Sequence, residues 1–111
     1  MNIKFDARRF AKEVNDSRRL VRRHGERRAN LIRRRLDELR AASTLEEMRY
    51  LPAARCHELH GNRSGQLSVD LDHPYRLIFV PEAPVPVRDD GGLDWERVTT
   101  IVITGVEDTH A

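Results

Sequence analysis

The sequence predicts an α+β fold in which an N-terminal strand and helices pack on one face of a small, mainly antiparallel sheet. Three observations lead to this prediction. Apolar residues recur at helical spacing in the first half of the chain and at every second position in the second half. The chain has 111 residues, of which 39% are hydrophobic, so it can fill one modest core. We therefore expect a single domain that spans residues 1–111.

The N-terminal region is predicted to form an edge strand followed by one or two helices. Residues 2–5 alternate polar and apolar side chains, and Asp6 is a candidate N-cap for a helix that buries Phe10. The next capping candidates are three polar residues in a row, Asn15, Asp16 and Ser17. Because Gly25 can either end or interrupt a helix, the pattern leaves open whether residues 7–24 form one helix or two.

The clearest helical pattern of the chain covers residues 26 to about 42. One stripe of this segment is apolar, at Ala29, Ile32, Leu36 and Leu39. The remainder is basic, at Arg27, Arg28, Arg33, Arg34, Arg35 and Arg40. The sequence therefore predicts an amphipathic helix with a basic outer face. Thr44 and Glu47 then match a capping box for a short helix, which Pro52 ends.

The rest of the chain is predicted to be strands, because apolar residues alternate with polar ones after Pro52. Four segments qualify, at residues 56–59, 66–71, 75–80 and 98–106. The second should have one solvated face. The third is almost continuously apolar, so we expect a central strand that is covered on both sides. Residues 81–97 are predicted to form a long loop, and residues 107–111 a polar tail.

Several classes of protein are excluded by the composition. The longest apolar stretches, residues 77–80 and 101–103, are far shorter than the roughly 20 residues of a membrane-spanning helix. The N-terminus has no apolar run of the kind found in signal peptides. Cys56 is the single cysteine and cannot form an internal disulfide. We therefore expect a cytoplasmic protein.

Charge is distributed unevenly along the chain. Residues 1–63 contain 17 Lys and Arg against 9 Asp and Glu, a net charge of +8, whereas residues 64–111 contain 3 against 9, a net charge of −6. Arginine accounts for 18 of the 20 basic residues, and its planar guanidinium pairs well with phosphate or carboxylate. These features favour a polyanionic partner, either nucleic acid or an acidic protein segment. The alternative is that the arginines only solvate the helices.

Six titratable residues are predicted to gather near the ends of the last strands: His57, His60, Arg63, Arg76, Asp108 and His110. Histidine can transfer protons near neutral pH, arginine can stabilise charge on a phosphate, and a carboxylate can orient an imidazole. RNA cleavage by the neighbouring 2′-hydroxyl needs such groups and no metal. Composition alone does not select this chemistry, since an arginine in an apolar strand often pairs with a nearby carboxylate.

A metal site is not expected, although His57 and His60 are three residues apart. Residues at that spacing on a strand face opposite sides of the sheet, and the sequence has neither a helical HExxH motif nor a cysteine pair. If the strand ends by Leu59, His60 belongs to the turn and can reach the same side as His57. We therefore expect no metal and no cofactor.

Three segments of the sequence resemble the HigB-type branch of the RelE/ParE toxin superfamily. They are LPAARCHELHGNRSGQLSVDL at 51–71, YRLIF at 75–79 and EDTH at 107–110. The resemblance implies a toxin of a type II toxin-antitoxin system that enters the ribosome and cleaves messenger RNA. It also implies a HigA-like helix-turn-helix antitoxin as partner, with promoter DNA contacted only through the antitoxin complex.

The same resemblance assigns roles to individual residues. His57 matches the histidine before the turn, and His60 stands where the family usually has lysine. Arg63 matches the arginine of the turn, and Arg76 matches the arginine of the following strand. In the tail, two family residues are present and a tyrosine is replaced by threonine: Asp108, Thr109 and His110. The resemblance thus gives a catalytic set with two departures from the family pattern.

Two functions from different classes follow from this comparison. The first is a ribosome-dependent mRNA endonuclease, with Arg27, Arg33 and Arg34 of the basic helix expected to contact the ribosome. The second is a binding module without catalytic activity, either a gyrase-poisoning ParE-like toxin or a degenerate toxin that binds its antitoxin. The acid and histidine of the tail favour the nuclease, because gyrase-directed members of the superfamily lack them.

Overall fold

Five strands form one sheet in the computed structural model of the chain, which describes residues 1–109. The strands are β1 (Asn2–Phe5), β2 (His57–Glu58), β3 (Leu67–Asp70), β4 (Tyr75–Pro81) and β5 (Thr100–Asp108). Their order across the sheet is β1-β5-β4-β3-β2. β1 runs parallel to β5, and the other neighbours are antiparallel. The α+β prediction is confirmed, and β1 lies at an edge as expected.

Within these residues the chain forms three α-helices and three short 3₁₀ helices. The α-helices are α1 (Arg8–Val14), α2 (Ser17–His24) and α3 (Glu26–Ala41). The 3₁₀ helices cover Leu45–Tyr50, Gly61–Arg63 and Trp95–Arg97. No helix in this described part of the chain is long and apolar enough to cross a bilayer.

The helix boundaries decide the question that the sequence left open. Residues 7–24 form two helices, because the Asp16 side chain accepts hydrogen bonds from the backbone N–H groups of Arg18 and Arg19 at 3.1 and 3.3 Å and so starts α2. Gly25 has a φ of 80° and separates α2 from α3. The prediction of Asp6 as an N-cap is wrong: α1 begins after Ala7 without a side-chain cap.

The helix α3 buries the predicted apolar stripe, but one of its arginines is buried too. Arg35 is 5% exposed, and its guanidinium donates to the backbone carbonyls of Asp70 and Ala53 at 2.7 and 3.0 Å and to the Glu38 carboxylate at 3.0 Å. The prediction that Arg35 lies on the basic outer face is therefore wrong. It is an internal connection between α3, β3 and the turn before β2.

The capping box predicted for the first 3₁₀ helix is also wrong in its partners. Thr44 is the N-cap, but its side chain makes no capping hydrogen bond. The Glu47 carboxylate instead accepts from the backbone N–H of Ser43 at 2.8 Å. The helix still buries Leu45 and Met48, because the apolar spacing of the segment is kept.

Three strand predictions need correction. β2 is shorter than the predicted segment 56–59 and contains only His57–Glu58. β3 has no fully solvated face, because Ser68 is completely buried although it points away from the helices. β5 begins at Thr100 and continues to Asp108, so the last strand includes two residues that were predicted to lie in a polar tail.

The central strand is β4, as predicted, and both of its faces are buried. Leu77 and Phe79 belong to the core that the sheet shares with α1–α3. Ile78 lies between them, points to the opposite face and is also fully buried. The sheet therefore has one face against the helices and a second face, partly covered, on which polar side chains collect.

A β-bulge interrupts the pairing of β4 with β5. Ile78 pairs with Gly105 and Phe79 pairs with Ile103, which leaves Thr104 as an extra residue. The Thr104 hydroxyl donates to the Ile78 carbonyl at 3.1 Å, and Gly105 has a φ of 149°, which favours glycine. The extra residue inverts the alternation of β5. Glu107 consequently faces away from the helices, although strict alternation from Ile103 would point it toward them.

The predicted long loop between β4 and β5 is folded against the sheet. Val87 and Leu93 pair as a small hairpin. The following Trp95 is 5% exposed, its indole N–H donates to the Glu58 carboxylate at 3.0 Å, and the Arg49 guanidinium lies 3.9 Å from its ring centroid. The loop thus has its own anchor next to β2.

Candidate active site on the open face of the sheet

His57 and Arg76 lie together on the sheet face opposite the helices. The Arg76 Nη1 atom is 3.3 Å from His57 Nε2, and His57 Nδ1 is 2.8 Å from the Arg55 carbonyl oxygen. A carbonyl can only accept, so Nδ1 must carry the proton in the neutral ring. Nε2 is then the unprotonated nitrogen and accepts from Arg76. The backbone at Arg55 thereby fixes the tautomer in which the basic nitrogen faces the site.

A carboxylate, Asp70, holds two of the arginines of this face. Asp70 is paired with Arg76 in the register of β3 and β4, and its Oδ1 is 3.5 Å from Arg76 Nε. Its Oδ2 accepts from Arg55 Nε at 2.8 Å. Arg76 therefore does pair with a carboxylate, and it contacts a histidine as well.

Arg63 is held by a second carboxylate on the same face. Its Nη1 and Nη2 atoms donate to the two carboxylate oxygens of Glu107 at 3.0 and 2.9 Å, and Nη2 also donates to Gln66 at 2.8 Å. This contact raises the pKa of the Arg63 guanidinium above its ordinary value. Glu107 is in turn the cross-strand neighbour of Arg76. The bidentate geometry is the one that arginine adopts with a phosphate.

The structure brings three of the six predicted site residues together: His57, Arg63 and Arg76. His60 precedes the 3₁₀ turn at Gly61–Arg63 and is exposed, and its side chain makes no hydrogen bond or ion pair within the described residues. Asp108 is paired with Tyr75, so alternation places its side chain on the face opposite Glu107. His110 lies outside the described residues.

Sequence reasoning missed Asp70 and Glu107. Asp70 could have been predicted to lie on the open face, since it alternates with Val69 on a strand whose apolar side faces the core. Glu107 carried a weaker one: a glycine inside a strand, here Gly105, often marks a bulge, and only the bulge turns Glu107 toward this face.

The arginines predicted to contact the ribosome lie on α3 and differ in their surroundings. Arg27 is exposed and has no ion pair within residues 1–109. Arg33 donates to the Asn30 side chain at 2.9 Å, and Arg34 lies 3.7 Å from the Glu38 carboxylate. Two of the three are therefore engaged within their own helix.

The cysteine is not a candidate nucleophile at neutral pH. Burial raises the pKa of the Cys56 thiol to about 12, so the thiolate form is scarce. The open face offers an imidazole with a fixed tautomer and three arginines, Arg55, Arg63 and Arg76. One nitrogen can accept a proton, and two guanidiniums can bind a phosphate once the carboxylates give way.

Comparison with protein families adds independent information. A family model described as "RelE-like toxin of type II toxin-antitoxin system HigB" matches residues 6–86, which is 81 of the 111 residues. The matched range contains α1–α3, β2–β4 and the His57, Arg63 and Arg76 cluster. A search of curated proteins found no match to the chain.

Proposed function

The chain belongs to the HigB-like family of RelE-like toxins, and from this membership we propose that it is a metal-independent endoribonuclease that cleaves messenger RNA on the ribosome. It is the toxin of a type II toxin-antitoxin system, and an antitoxin is therefore its partner. The nuclease activity is supported chiefly by one observation, the 3.3 Å contact between Arg76 Nη1 and the unprotonated Nε2 of His57.

The reaction that fits these groups is attack of the ribose 2′-oxygen on the adjacent phosphate. His57 Nε2 accepts the 2′-hydroxyl proton, the new P–O bond forms a 2′,3′-cyclic phosphate, and the bond to the 5′-oxygen breaks. Arg63 and Arg76 stabilise the charge that builds on the phosphorus oxygens.

The proton for the departing 5′-oxygen needs a second group. By the family resemblance we assign this role to the tail, with His110 as the donor. Asp108 is given no contact with the phosphate, because its side chain lies on the other face of the sheet. We place His60 at the scissile phosphate in the position of the family's lysine. Its exposed side chain beside the Gly61 turn is compatible with that role, because no hydrogen bond or ion pair holds it within the described residues.

The proposed partners follow from the same function. They are a HigA-like helix-turn-helix antitoxin, the ribosome and its messenger RNA, with promoter DNA reached only through the antitoxin. Arg27, Arg33 and Arg34 are a proposed ribosome-contacting set. Since ribosomes are the proposed target, the proposed place of action is the cytoplasm, and neither a metal nor a cofactor is proposed.

The direct test is to add the purified protein to ribosomes programmed with a defined messenger RNA and to map cleavage by primer extension. His57→Ala and Arg76→Ala should each reduce the cleavage rate about 10²- to 10⁴-fold, the usual loss for a general base or a positioned charge. Arg97→Ala is the matched control, because Arg97 pairs with Asp94 at 2.9 Å in the loop and should cleave like the parent.

Absence of cleavage by the parent protein would contradict the nuclease. If the same protein still bound its antitoxin, the second reading of the sequence, a toxin-fold binding module without catalytic activity, would replace it.

A further inference from the structure

A cleft of about 780 Å³ lies between α1 and α2, on the opposite side of the molecule from the candidate active site. Its lining is made entirely of charged residues: Arg8, Arg9, Lys12, Glu13, Arg19, Arg22 and Arg23. Six of the seven are cations. The cleft is therefore a concave, strongly basic surface that the proposed cleavage chemistry does not use.

One buried carboxylate neutralises only part of this charge. Glu13 is 8% exposed, and its oxygens lie 3.6 Å from Arg9 Nε, 3.9 Å from Arg23 Nε and 3.5 Å from His24 Nε2. Arg19 lies 3.4 Å from Asp16 at the N-cap of α2. Glu13 and Asp16 thus neutralise part of the positive charge of Arg9, Arg19 and Arg23.

The remaining three cations have no such partner. No carboxylate lies within ion-pair distance of Arg8, Lys12 or Arg22 among residues 1–109, and all three are exposed. On the basic face of α3, Arg34 pairs with Glu38 and Arg40 lies 3.8 Å from Asp37, which leaves Arg27 and Arg33 without a carboxylate partner among residues 1–109. The α1–α2 cleft differs in that three unpaired cations line one concave surface.

We propose that the α1–α2 cleft binds the phosphate backbone of structured RNA. Protein–protein interfaces bury an apolar centre from which charged residues are depleted, and this lining contains no apolar residue. Interfaces with nucleic acid are polar and strongly positive, and guanidinium groups match phosphate oxygens in a fork geometry. An acidic protein segment would find charge and the aliphatic stems of these side chains here, but no apolar residue in the lining.

The position of the cleft defines what it can do. α1 packs on β1, where the Phe5 and Phe10 rings lie 5.9 Å apart, whereas His57 is on β2 at the opposite edge of the sheet. The cleft is also on the helix side, and His57 is on the open face. The cleft and the candidate active site are therefore separate surfaces. Given the proposed function, the cleft holds folded RNA of the ribosome while the other face holds the message.

The test measures binding of the full-length protein to a short fluorescein-labelled RNA duplex by anisotropy, from about 50 to about 200 mM salt. The cleft variant combines Arg8→Glu, Lys12→Glu and Arg22→Glu. It should weaken binding about tenfold or more and reduce the log–log salt slope by about two to three, since each lost phosphate contact removes nearly one unit. The α3 variant, Arg27→Glu, Arg33→Glu and Arg34→Glu, carries the same charge change and should reduce the slope less, by about one, because Arg34 pairs with Glu38 and the three side chains line no common cleft.

Control measurements separate a loss of folding from a loss of RNA binding. Both triple variants are compared with the parent by circular dichroism, and a second cleft variant with Gln at the same three positions keeps helix propensity while removing the charges. It too should flatten the salt slope. Binding and slope that match the parent in both cleft variants would overturn the proposal, as would an α3 variant with the larger effect.

An acidic peptide distinguishes the two kinds of polyanion. If the cleft variants lost binding to polyglutamate but kept the parent's RNA affinity, the cleft would belong to an acidic protein segment and the proposal would be overturned. Because duplex binding is measured without ribosomes, failure of mRNA cleavage leaves this result intact, and loss of cleft-dependent binding leaves the cleavage result intact.

Discussion

At the candidate site, both arginines that we propose to bind phosphate are paired with the protein's own carboxylates. Asp70 holds Arg76, and Glu107 holds Arg63 with two hydrogen bonds. A phosphate that enters must displace these carboxylates. The free energy needed to break the internal contacts therefore reduces the affinity of the two arginines for RNA. Glu107 in particular presents two oxygens where phosphate oxygens would bind.

The first prediction concerns Glu107→Gln. The neutral amide holds Arg63 less firmly, so RNA binding should strengthen by up to about fivefold, the value of a half-exposed ion pair. Affinity for a non-cleavable RNA with a 2′-deoxy nucleotide at the cleavage site measures this. Glu96→Gln is the matched control, since Glu96 is exposed and changes the net charge equally. A larger gain in the control, or weaker binding by Glu107→Gln, would contradict the prediction.

The second prediction concerns His24, which is enclosed between α1 and α2 beside Glu13. Burial is the main cause that lowers its pKa below the ordinary value, and Arg23 and Arg28 act in the same direction, against Glu13. The folded protein then binds fewer protons than the unfolded chain. The free energy of unfolding should therefore fall as pH drops through about 6.5.

Urea denaturation at about pH 8 and about pH 5 measures this dependence. His24→Gln should reduce the difference between the two pH values, because the replaced side chain does not titrate. His60→Gln is the control, since it makes the same substitution at an exposed position. Equal pH dependence in His24→Gln and the parent would show that other groups cause it.

At the scale of secondary-structure elements, Arg35 connects three parts of the chain. It leaves α3 and donates to the carbonyl groups of Asp70 on β3 and Ala53 in the turn before β2. Asp70 and the turn are the parts that carry the carboxylate beside Arg76 and the carbonyl beside His57. Arg35 therefore supports the candidate site from the opposite side of the sheet.

The third prediction is that Arg35→Met lowers the free energy of unfolding by about 2–5 kcal/mol, because it leaves two carbonyls and the Glu38 carboxylate without their donor. Arg34→Met is the matched control: Arg34 is the adjacent residue, its side chain is 69% exposed, and its loss should cost below about 1 kcal/mol. Urea denaturation measures both. Similar values for the two variants would contradict the structural role of Arg35.

Periodicity predicted most elements because it reports directly on burial. The apolar stripe of α3, the edge strand β1 and the central strand β4 are placed as expected. Ser68 was predicted to be solvated, yet it lies between His57 and Ile78 in the register of the sheet and is fully buried. Its burial depends on neighbours from other strands, and a pattern along one strand does not contain them.

The candidate site, like the fold, was predictable from the sequence only in part. His57, Arg63 and Arg76 were assigned by resemblance to short motifs, and the fold places them on one face. Asp108 was assigned in the same way, but the register aligns it with Tyr75. The bulge decides this difference, and the sequence marks it only by Gly105.

At the scale of the whole molecule, the basic first part of the chain folds against the acidic second part. Ion pairs join the two parts at Lys4–Glu82, Arg28–Asp72, Arg55–Asp70 and Arg63–Glu107. The Arg28 guanidinium also makes a cation–π contact, because it lies 3.4 Å from the Tyr75 ring centroid. These pairs consume acidic residues near the sheet and leave the α1–α2 cleft with its excess of positive charge.

The fourth prediction tests whether residues 1–109 unfold as one unit, as expected of a single domain. Trp95 is the only tryptophan, and its fluorescence reports on the loop beside β2, whereas far-ultraviolet circular dichroism reports mainly on the helices. Because the loop and α3 share one core, the two signals should change at the same urea concentration. Separate midpoints would indicate two cooperative units.

Because of the extra residue in β5, the position of an acidic residue in the sequence does not by itself tell on which face of the sheet it lies. Glu107 and Asp108 are adjacent in the chain, yet they lie on opposite faces of the sheet. A lineage that lost one residue at 104 would exchange the two acids between the faces without substituting either of them. Gain or loss of a single codon is thus enough to change which acid stands beside Arg63, and aligned columns at this end of the strand compare acids from different surroundings.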